Sequence, residues 1–195
     1  MDEEGNVIAK HRGSQDAVGF KKTIAKGTEF IDVKTKATNS DKVGKFDVSM
    51  QIKYLIARWE LGNTNTKDAK KELDEFKSIP KSEEKIVNEF KINMKANSIF
   101  KDTNWKDKDA AEDAQKELYK MYKDEQIPTS EGDLSPFWNQ IMTYAEKEIH
   151  ADAFEKALNY YKELAGSNPN FKKWFEDKEK VLIKLKKAEK EEKKD

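Results

Sequence analysis

Apolar residues recur at intervals of three and four along most of the chain, which is the spacing of one face of an α-helix. From about residue 40 onward this pattern continues to residue 185, interrupted at intervals by Gly, Asn and Pro. It predicts helical segments at 46–61, 69–76, 82–100, 107–122, 135–149, 154–165 and 170–185. Because most connections between them are short, consecutive helices are expected to pack as antiparallel neighbours. We therefore predict a mainly α fold of stacked antiparallel helical hairpins.

The opening segment has a different pattern. Residues 2–6 carry a turn signal of acidic residues, Gly and Asn. The next residues, from Val7 to His11, alternate as in a short strand, which we predict at residues 6–12. A single strand has unpaired backbone groups. It is therefore expected to be mobile, to pair with a second copy, or to be covered by the helix that follows it.

That following helix is predicted to begin near residue 17. Phe20, Ile24 and Ile31 fall on one helical stripe, at spacings of four and seven residues. Together with the run from Asp2 to Gly13, this helix resembles the C-terminal end of a thioredoxin-like domain, in which an acidic-Gly turn joins the last two strands and a Gly precedes the closing helix. The resemblance covers residues 1 to about 35. It implies that a redox Cys pair would lie upstream, so no residue here inherits a catalytic role.

A second resemblance concerns residues 154–169. In this run Ala157, Tyr161, Leu164 and Pro169 stand at the small, aromatic, apolar and proline positions of a tetratricopeptide repeat. Tyr144-Ala145 on the preceding segment fits the packing pair of the first helix of such a repeat. The period along the chain is irregular compared with the usual 34 residues. The resemblance implies divergent helical hairpins with tetratricopeptide-like packing.

These patterns predict three regions along the chain. Residues 1–38 would be the partial thioredoxin-like strand and helix, and 39–185 the tetratricopeptide-like helical domain. Residues 186–195 alternate charges with almost no apolar residue and are expected to form a solvated tail.

Composition excludes several classes of function. The 38 basic and 38 acidic residues give a formal net charge of +0, which lacks the basic field that dominates nucleic-acid binding. The chain has no Cys, so it contains no disulfide, thiolate metal site or Cys nucleophile. No apolar run is long enough for a membrane-spanning helix or a signal peptide. We expect a cytoplasmic location by default, or a periplasmic or envelope-associated one if the chain is a fragment.

Candidate chemistry is sparse. His150 has Glu146 and Asp152 nearby in sequence, a spacing at which a metal could be shared, but no second His is close, and a solvated helix joint is the favoured interpretation. His11 is expected to face solvent on the predicted strand. No nucleophile elbow or phosphate-binding Gly-rich loop occurs. We therefore predict no metal, no cofactor and no enzymatic activity.

Four residues are candidates for binding a partner. Lys53, Arg58 and Asn139 are outward polar positions of segments 46–61 and 135–149, where stacked hairpins present a concave face; Thr143 is a further outward polar position of the second segment. Arg58 could hold a partner carboxylate, although an ion pair with Glu60 or Glu72 is the favoured alternative. Trp105 lies in a polar linker, where its indole either plugs the end of a helical pair or is exposed.

Two functions remain after these exclusions. The first is a non-catalytic helical interaction module that presents a surface to a protein or peptide. The second is a fragment of a thiol-disulfide oxidoreductase whose Cys pair is encoded upstream. The reading frame before residue 1 distinguishes them, because only the second requires an in-frame Cys-x-x-Cys about one thioredoxin domain upstream. The sequence leaves the oligomeric state open.

Overall fold

A computed structural model describes residues 1–10, 17–42 and 47–192. Within these ranges the chain forms eight α-helices and no β-strand, which confirms the predicted mainly α class. The helices are α1 (Ala17–Lys42), α2 (Val48–Glu60), α3 (Thr66–Glu75), α4 (Glu84–Asp102), α5 (Lys108–Lys123), α6 (Leu134–Lys147), α7 (Ala151–Ala165) and α8 (Lys172–Glu192). Short 3₁₀ turns, Lys81–Glu83 and Pro169–Phe171, precede α4 and α8.

The chain divides into two compact units, residues 1–94 and 95–195. The division falls inside α4, so unit 1 contains α1 to α3 and the first part of that helix. Unit 2 contains the rest of α4 and the helices from α5 to α8. The predicted boundary at residue 38 lies within α1. The three regions expected from the sequence stay a prediction.

The core of unit 1 is built by α2, α3 and the start of α4. Asp47 caps α2 by accepting a hydrogen bond from the Met50 amide at 3.2 Å, and Asn65 caps α3 in the same way. Gly62, at φ +72°, ends α2 in the left-handed conformation that favours glycine. The buried side chains are Ile52, Leu55, Trp59, Ala69, Leu73, Val87, Phe90 and Met94. They form one contiguous cluster, in which the Trp59 and Phe90 rings meet edge to face with centroids 5.4 Å apart.

Unit 2 is a series of sequence-adjacent helices, in which α6 packs on both α5 and α7, and α7 packs on α8. Its largest fully buried side chains are Leu118, Met121, Phe137, Ile141, Phe154 and Leu158. Ion pairs also join neighbouring helices on the outside of this core. Lys147 pairs with Glu112 between α6 and α5, while Lys162 and Lys186 of α7 and α8 pair with carboxylates of the opposite helix.

The prediction of a strand at residues 6–12 is wrong for the described residues 6–10, which form no strand. The Val7 backbone pairs with the side-chain amide of Asn63, and residues 8 and 9 lie against α1. The polar backbone groups of Val7 are paired with a side chain and not with a neighbouring strand. Residues 8 and 9 contact the following helix at Gly27, and the choice among the three expected outcomes stays a prediction. Residues 11 and 12 lie outside the described residues.

Helix α1 begins where the sequence predicted, but its apolar stripe is not its buried face. Phe20, Ile24 and Ile31 are exposed. The buried positions among residues 17–39 are instead Gly27, Phe30 and Ala37. Three- and four-residue spacing predicts a helix, but the direction that faces the core depends on what packs against it.

No helix in the described part of the chain combines the length and the apolar composition that crossing a bilayer requires.

Candidate functional site

The most specific contact of unit 1 is a backbone clamp between residues 56 positions apart. The Val7 amide donates a hydrogen bond to Asn63 Oδ1 at 2.8 Å, and Asn63 Nδ2 donates to the Val7 carbonyl oxygen at 2.8 Å. The carboxamide thus satisfies both polar groups of one residue, as a neighbouring strand would. Such a contact recognises extended backbone and is independent of the side chain held there.

The turn before this clamp is closed by Asp2. Its Oδ1 accepts hydrogen bonds from the amides of Glu4, at 3.0 Å, and Asn6, at 2.8 Å. The side chain of Asn6 donates to Asp2 Oδ2 at 2.9 Å, and Gly5 adopts φ +82°. These local hydrogen bonds fix the turn at residues 2–6, so that the carboxylates of Asp2 and Glu4 lie on the same side of it.

Lys34 of α1 receives those two carboxylates. Its Nζ lies 2.7 Å from Asp2 Oδ2 and 2.8 Å from Glu4 Oε2. The Lys34 ammonium holds the pKa of Asp2 well below its usual range, with a further contribution from Asn6. In return, the hydrogen bonds that Lys34 donates to Asp2 and Glu4 raise the pKa of Lys34 above its ordinary value. Asp2 and Lys34 are therefore both charged at neutral pH.

Directly after the clamp, the segment passes over Gly27. A Cβ placed on Gly27 would lie 3.6 Å from the Ala9 Cβ and 3.6 Å from the Ile8 carbonyl oxygen. Those are ordinary van der Waals distances, so the glycine leaves room for about one methyl group. We call residues 2–10 the docked segment, and the surface formed by Gly27, Lys34 and Asn63 the α1 groove.

The sequence candidates of unit 1, Lys53 and Arg58, both lie on α2 and have partners. Arg58 Nη2 lies 2.5 Å from both carboxylate oxygens of Glu72, and the guanidinium stands over the Tyr54 ring at 5.0 Å from its centroid. The predicted ion pair with Glu72 is thus present. Lys53 Nζ lies 3.6 Å from Glu83, whose side chain is largely buried. A binding role for either residue stays a prediction.

The candidates of unit 2 are Trp105 and Asn139. Trp105 is half-buried: its indole N–H donates to the Phe100 carbonyl oxygen at 3.1 Å, and its ring stacks on Phe100. It folds back on the end of α4, close to the first of the two expected arrangements. Asn139 is exposed on α6, and its carbonyl oxygen accepts a hydrogen bond from the exposed Thr143 hydroxyl at 2.9 Å.

The metal hypothesis at His150 finds no support in the geometry of its neighbours. The His150 ring stacks on Tyr119, with centroids 4.8 Å apart and planes 6° from parallel. Glu146 pairs with Lys178, and Asp152 accepts a hydrogen bond from Tyr122. In the three described ranges, no group of three His, Asp or Glu side chains could hold a metal. His11 lies outside those ranges.

An aromatic row joins the helices of unit 2. Successive ring contacts run through Tyr119, Tyr122, Trp138, Tyr160, Tyr161, Trp174 and Phe175. The Tyr161 hydroxyl donates to the Ser135 carbonyl oxygen at 2.8 Å, and burial raises the pKa of Tyr161. The row therefore contributes packing between the rings and a hydrogen bond from Tyr161. An open cleft of about 510 Å³ between α7 and α8 is lined in part by Lys162 and Glu179, which form an ion pair with each other.

Comparison with protein-family models, with curated proteins and with solved structures finds no match for this chain. The thioredoxin-like and tetratricopeptide-like assignments therefore stay predictions. The α1 groove has the most specific set of contacts. The hydrogen bonds of Asn63, the ion pairs of Lys34 and the contact at Gly27 all hold the same docked segment. Sequence reasoning missed Asn63 and Lys34, although it identified the acidic turn at residues 2–6.

Proposed function

We propose that the chain is a non-catalytic interaction module that binds an extended polypeptide segment in the α1 groove. The observation that supports it is the pair of hydrogen bonds between Asn63 and the Val7 backbone. Main-chain bonds of this kind supply affinity in many modes of peptide recognition, while adjacent pockets supply specificity. In the α1 groove, Lys34 and Gly27 are those adjacent features.

Tetratricopeptide-like packing is proposed for unit 2 as its structural role. In its favour, α6 and α7 are consecutive packed helices, and Ala145 and Ala157 are both fully buried at their small-residue positions. Leu164 departs from the pattern, because 62% of its surface is exposed. The thioredoxin-like origin of residues 1 to about 35, and the alternative of an oxidoreductase fragment, remain predictions that the upstream reading frame decides.

Peptide binding by the α1 groove can be tested in the full chain by substitutions that release the docked segment. A vacated variant carries Val7→Pro, which removes the amide that donates to Asn63, together with Asp2→Ala and Glu4→Ala, which remove the Lys34 contacts. A fluorescent peptide with the sequence of residues 1–10 is then titrated and its anisotropy followed. We expect saturable binding to the vacated variant.

The matched controls are two asparagine substitutions in the vacated background. Asn63→Ala should abolish peptide binding, because both backbone hydrogen bonds are lost. Asn159→Ala, at an exposed position of α7, should leave binding unchanged. Circular dichroism verifies that both variants keep their helical content. Absence of binding to the folded vacated variant would overturn the proposed function.

A further inference from the structure

We infer that residues 17–28 of α1 form a docking surface for a bilayer that contains anionic lipids, with the helix lying along the lipid–water interface. We call this stretch the α1 outer surface. The inference goes beyond peptide binding in the α1 groove and does not depend on it. Three features of the stretch support it: exposed apolar side chains, their distribution around the helix, and the local charge.

Apolar side chains of the α1 outer surface are exposed to solvent. Val18, Phe20 and Ile24 have 60%, 58% and 54% of their surface exposed. Phe20 and Ile24 are four residues apart, so they are neighbours along one side of the helix. The interior of unit 1 is contacted by other positions of α1, among them Gly27 and Phe30, which are buried. Clustered apolar residues that stay exposed in this way mark sites of interaction with proteins or membranes.

The distribution of these side chains around the helix favours a membrane over a partner helix. At about 100° per residue, Phe20 and Ile24 lie about 40° apart, whereas Val18 lies about 120° from Ile24. Lys21 falls between Ile24 and Val18. A partner helix packs on a narrow apolar stripe, which a central lysine would interrupt. A bilayer interface accepts a broad face, because the lysine stem lies along the apolar region while its ammonium reaches the headgroups.

The local charge specifies the kind of membrane. Residues 17–28 contain three exposed lysines, Lys21, Lys22 and Lys26, and no Asp or Glu, which gives a formal charge of +3. Acidic residues elsewhere in the neutral chain are screened beyond a Debye length of about 8 Å at physiological salt. Each lysine close to an anionic bilayer contributes about fivefold in affinity. Charge complementarity therefore selects anionic lipids over zwitterionic ones.

The same argument gives the surface its C-terminal limit. Glu29 and Asp32 are exposed on the next turn of α1, and Asp32 pairs with Lys36 at 2.6 Å. Ile31 is also exposed, but it lies between these two carboxylates, which an anionic bilayer repels. The α1 outer surface therefore ends before Glu29.

Vesicle co-sedimentation of the full chain tests the inference. The vesicles contain phosphatidylcholine alone or phosphatidylcholine with about 30% phosphatidylserine. We expect saturable binding to the anionic vesicles, at least about tenfold tighter than to the neutral ones, because several lysines contribute. Raising the salt concentration from about 0.05 M to about 0.5 M should weaken the binding, since these charges are at the surface.

Two double variants separate the apolar from the charged contribution. Phe20→Ala with Ile24→Ala should weaken binding to the anionic vesicles at least about tenfold, because each CH₂ group buried in the interface contributes about fourfold. Lys21→Gln with Lys22→Gln should weaken it by on the order of tenfold and reduce the preference for anionic lipid. All four side chains are exposed, so circular dichroism should show unchanged helical content.

A matched control variant carries Ile183→Ala and Lys187→Gln in α8. There the isoleucine is 68% exposed and the lysine side chain 80% exposed. This variant should bind the anionic vesicles as the wild-type chain does. A loss equal to that of the α1 variants would overturn the assignment to α1.

Three further results would overturn the inference. The first is absence of binding of the folded wild-type chain to anionic vesicles. The second is an effect of the lysine variant without an effect of the apolar variant, which describes a purely electrostatic contact. The third comes from sedimentation without lipid, where a dimer that is lost with Phe20→Ala and Ile24→Ala would assign the surface to a second copy. None of these results depends on peptide binding in the α1 groove.

Discussion

Helices α1 and α7 show how differently the two units hold their helices. The 15 residues of α7 include five buried ones, among them Phe154 and Leu158, which lie on one continuous face. In α1, residues 17–39 include three buried positions, at Gly27, Phe30 and Ala37. A helix with a continuous buried face is fixed by apolar area, whereas α1 depends on a few individual contacts.

Those contacts of α1 can be named. The Phe30 ring meets the Tyr54 ring with centroids 5.9 Å apart, and Gln51 Nε2 donates to the Ala37 carbonyl oxygen at 3.0 Å. The docked segment adds its contacts with Lys34 and Gly27. Elements with little buried apolar surface open at a low free-energy cost, and binding elements belong to this class. We therefore expect α1 and the docked segment to open more readily than α7.

The largest expected change in the free energy of unfolding comes from a substitution in the core of unit 2. Phe154→Ala removes a side chain with 0% exposure and should lower the free energy of unfolding by about 3–5 kcal/mol, because it removes apolar contacts and leaves a cavity. Phe20→Ala of α1, where 58% of the residue is exposed, is the matched control and should change it by less than about 0.5 kcal/mol. Urea denaturation, with hydrogen exchange to locate the affected helices, measures both. Similar losses for the two variants would contradict the comparison.

A smaller effect is expected at Arg58. Arg58→Ala removes the bidentate pair with Glu72 and the contact with the Tyr54 ring, which together should cost about 1 kcal/mol of stability. Peptide binding by the vacated variant should not change. A double-mutant cycle with Glu72→Ala isolates the pair and should give a coupling of about 0.5 kcal/mol. Unchanged stability combined with lost peptide binding would instead support the predicted binding role of Arg58.

The smallest effect is release of the docked segment by pH. The pKa of Asp2 is lowered, so its contribution is present above the ordinary value of 3.8 and lost as the pH falls through the lower value of the folded chain. The pKa of Lys34 is raised, so its contribution is present below 10.5 and lost as the pH rises through the higher value. The NMR shift of the Val7 amide should therefore stay constant between about pH 4 and pH 10. Release between pH 5 and 7 would show that other groups hold the segment.

The fold was predictable where local pattern and packing agree. In unit 2, the spacing of Phe137, Ile141 and Ala145 predicts a helix, and those residues are its buried face. The α1 stripe predicted the helix and failed for its buried face, because the neighbours that bury Phe30 come from residues later in the chain. Periodicity carries information about the element itself, and burial depends on its tertiary partners.

The site was less predictable for the same physical reason. Asn63 lies 56 residues after Val7, and nothing local to either residue shows that the carboxamide replaces a strand. The acidic turn was visible, but its partner Lys34 is one of many lysines in a chain with 38 basic residues. Ion pairs between residues 30 or more positions apart follow no regular spacing, so the sequence does not indicate which lysine pairs with the turn. The ion pair of Arg58 was foreseen because Glu72 lies on the next predicted helix, only 14 residues later in the chain.

The ion pairs that join the helices of unit 2 affect how its stability changes with temperature. Glu112 contacts both Lys116 and Lys147, so one carboxylate links two cations across α5 and α6, and these contacts lower its pKa to about 2. Hydration of charged groups becomes less favourable as temperature rises, so the cost of dehydrating such a network falls on warming. The aromatic contacts gain no comparable benefit. The outer surface of the stack should thus retain its helix-to-helix links at temperatures where apolar packing alone has stopped strengthening.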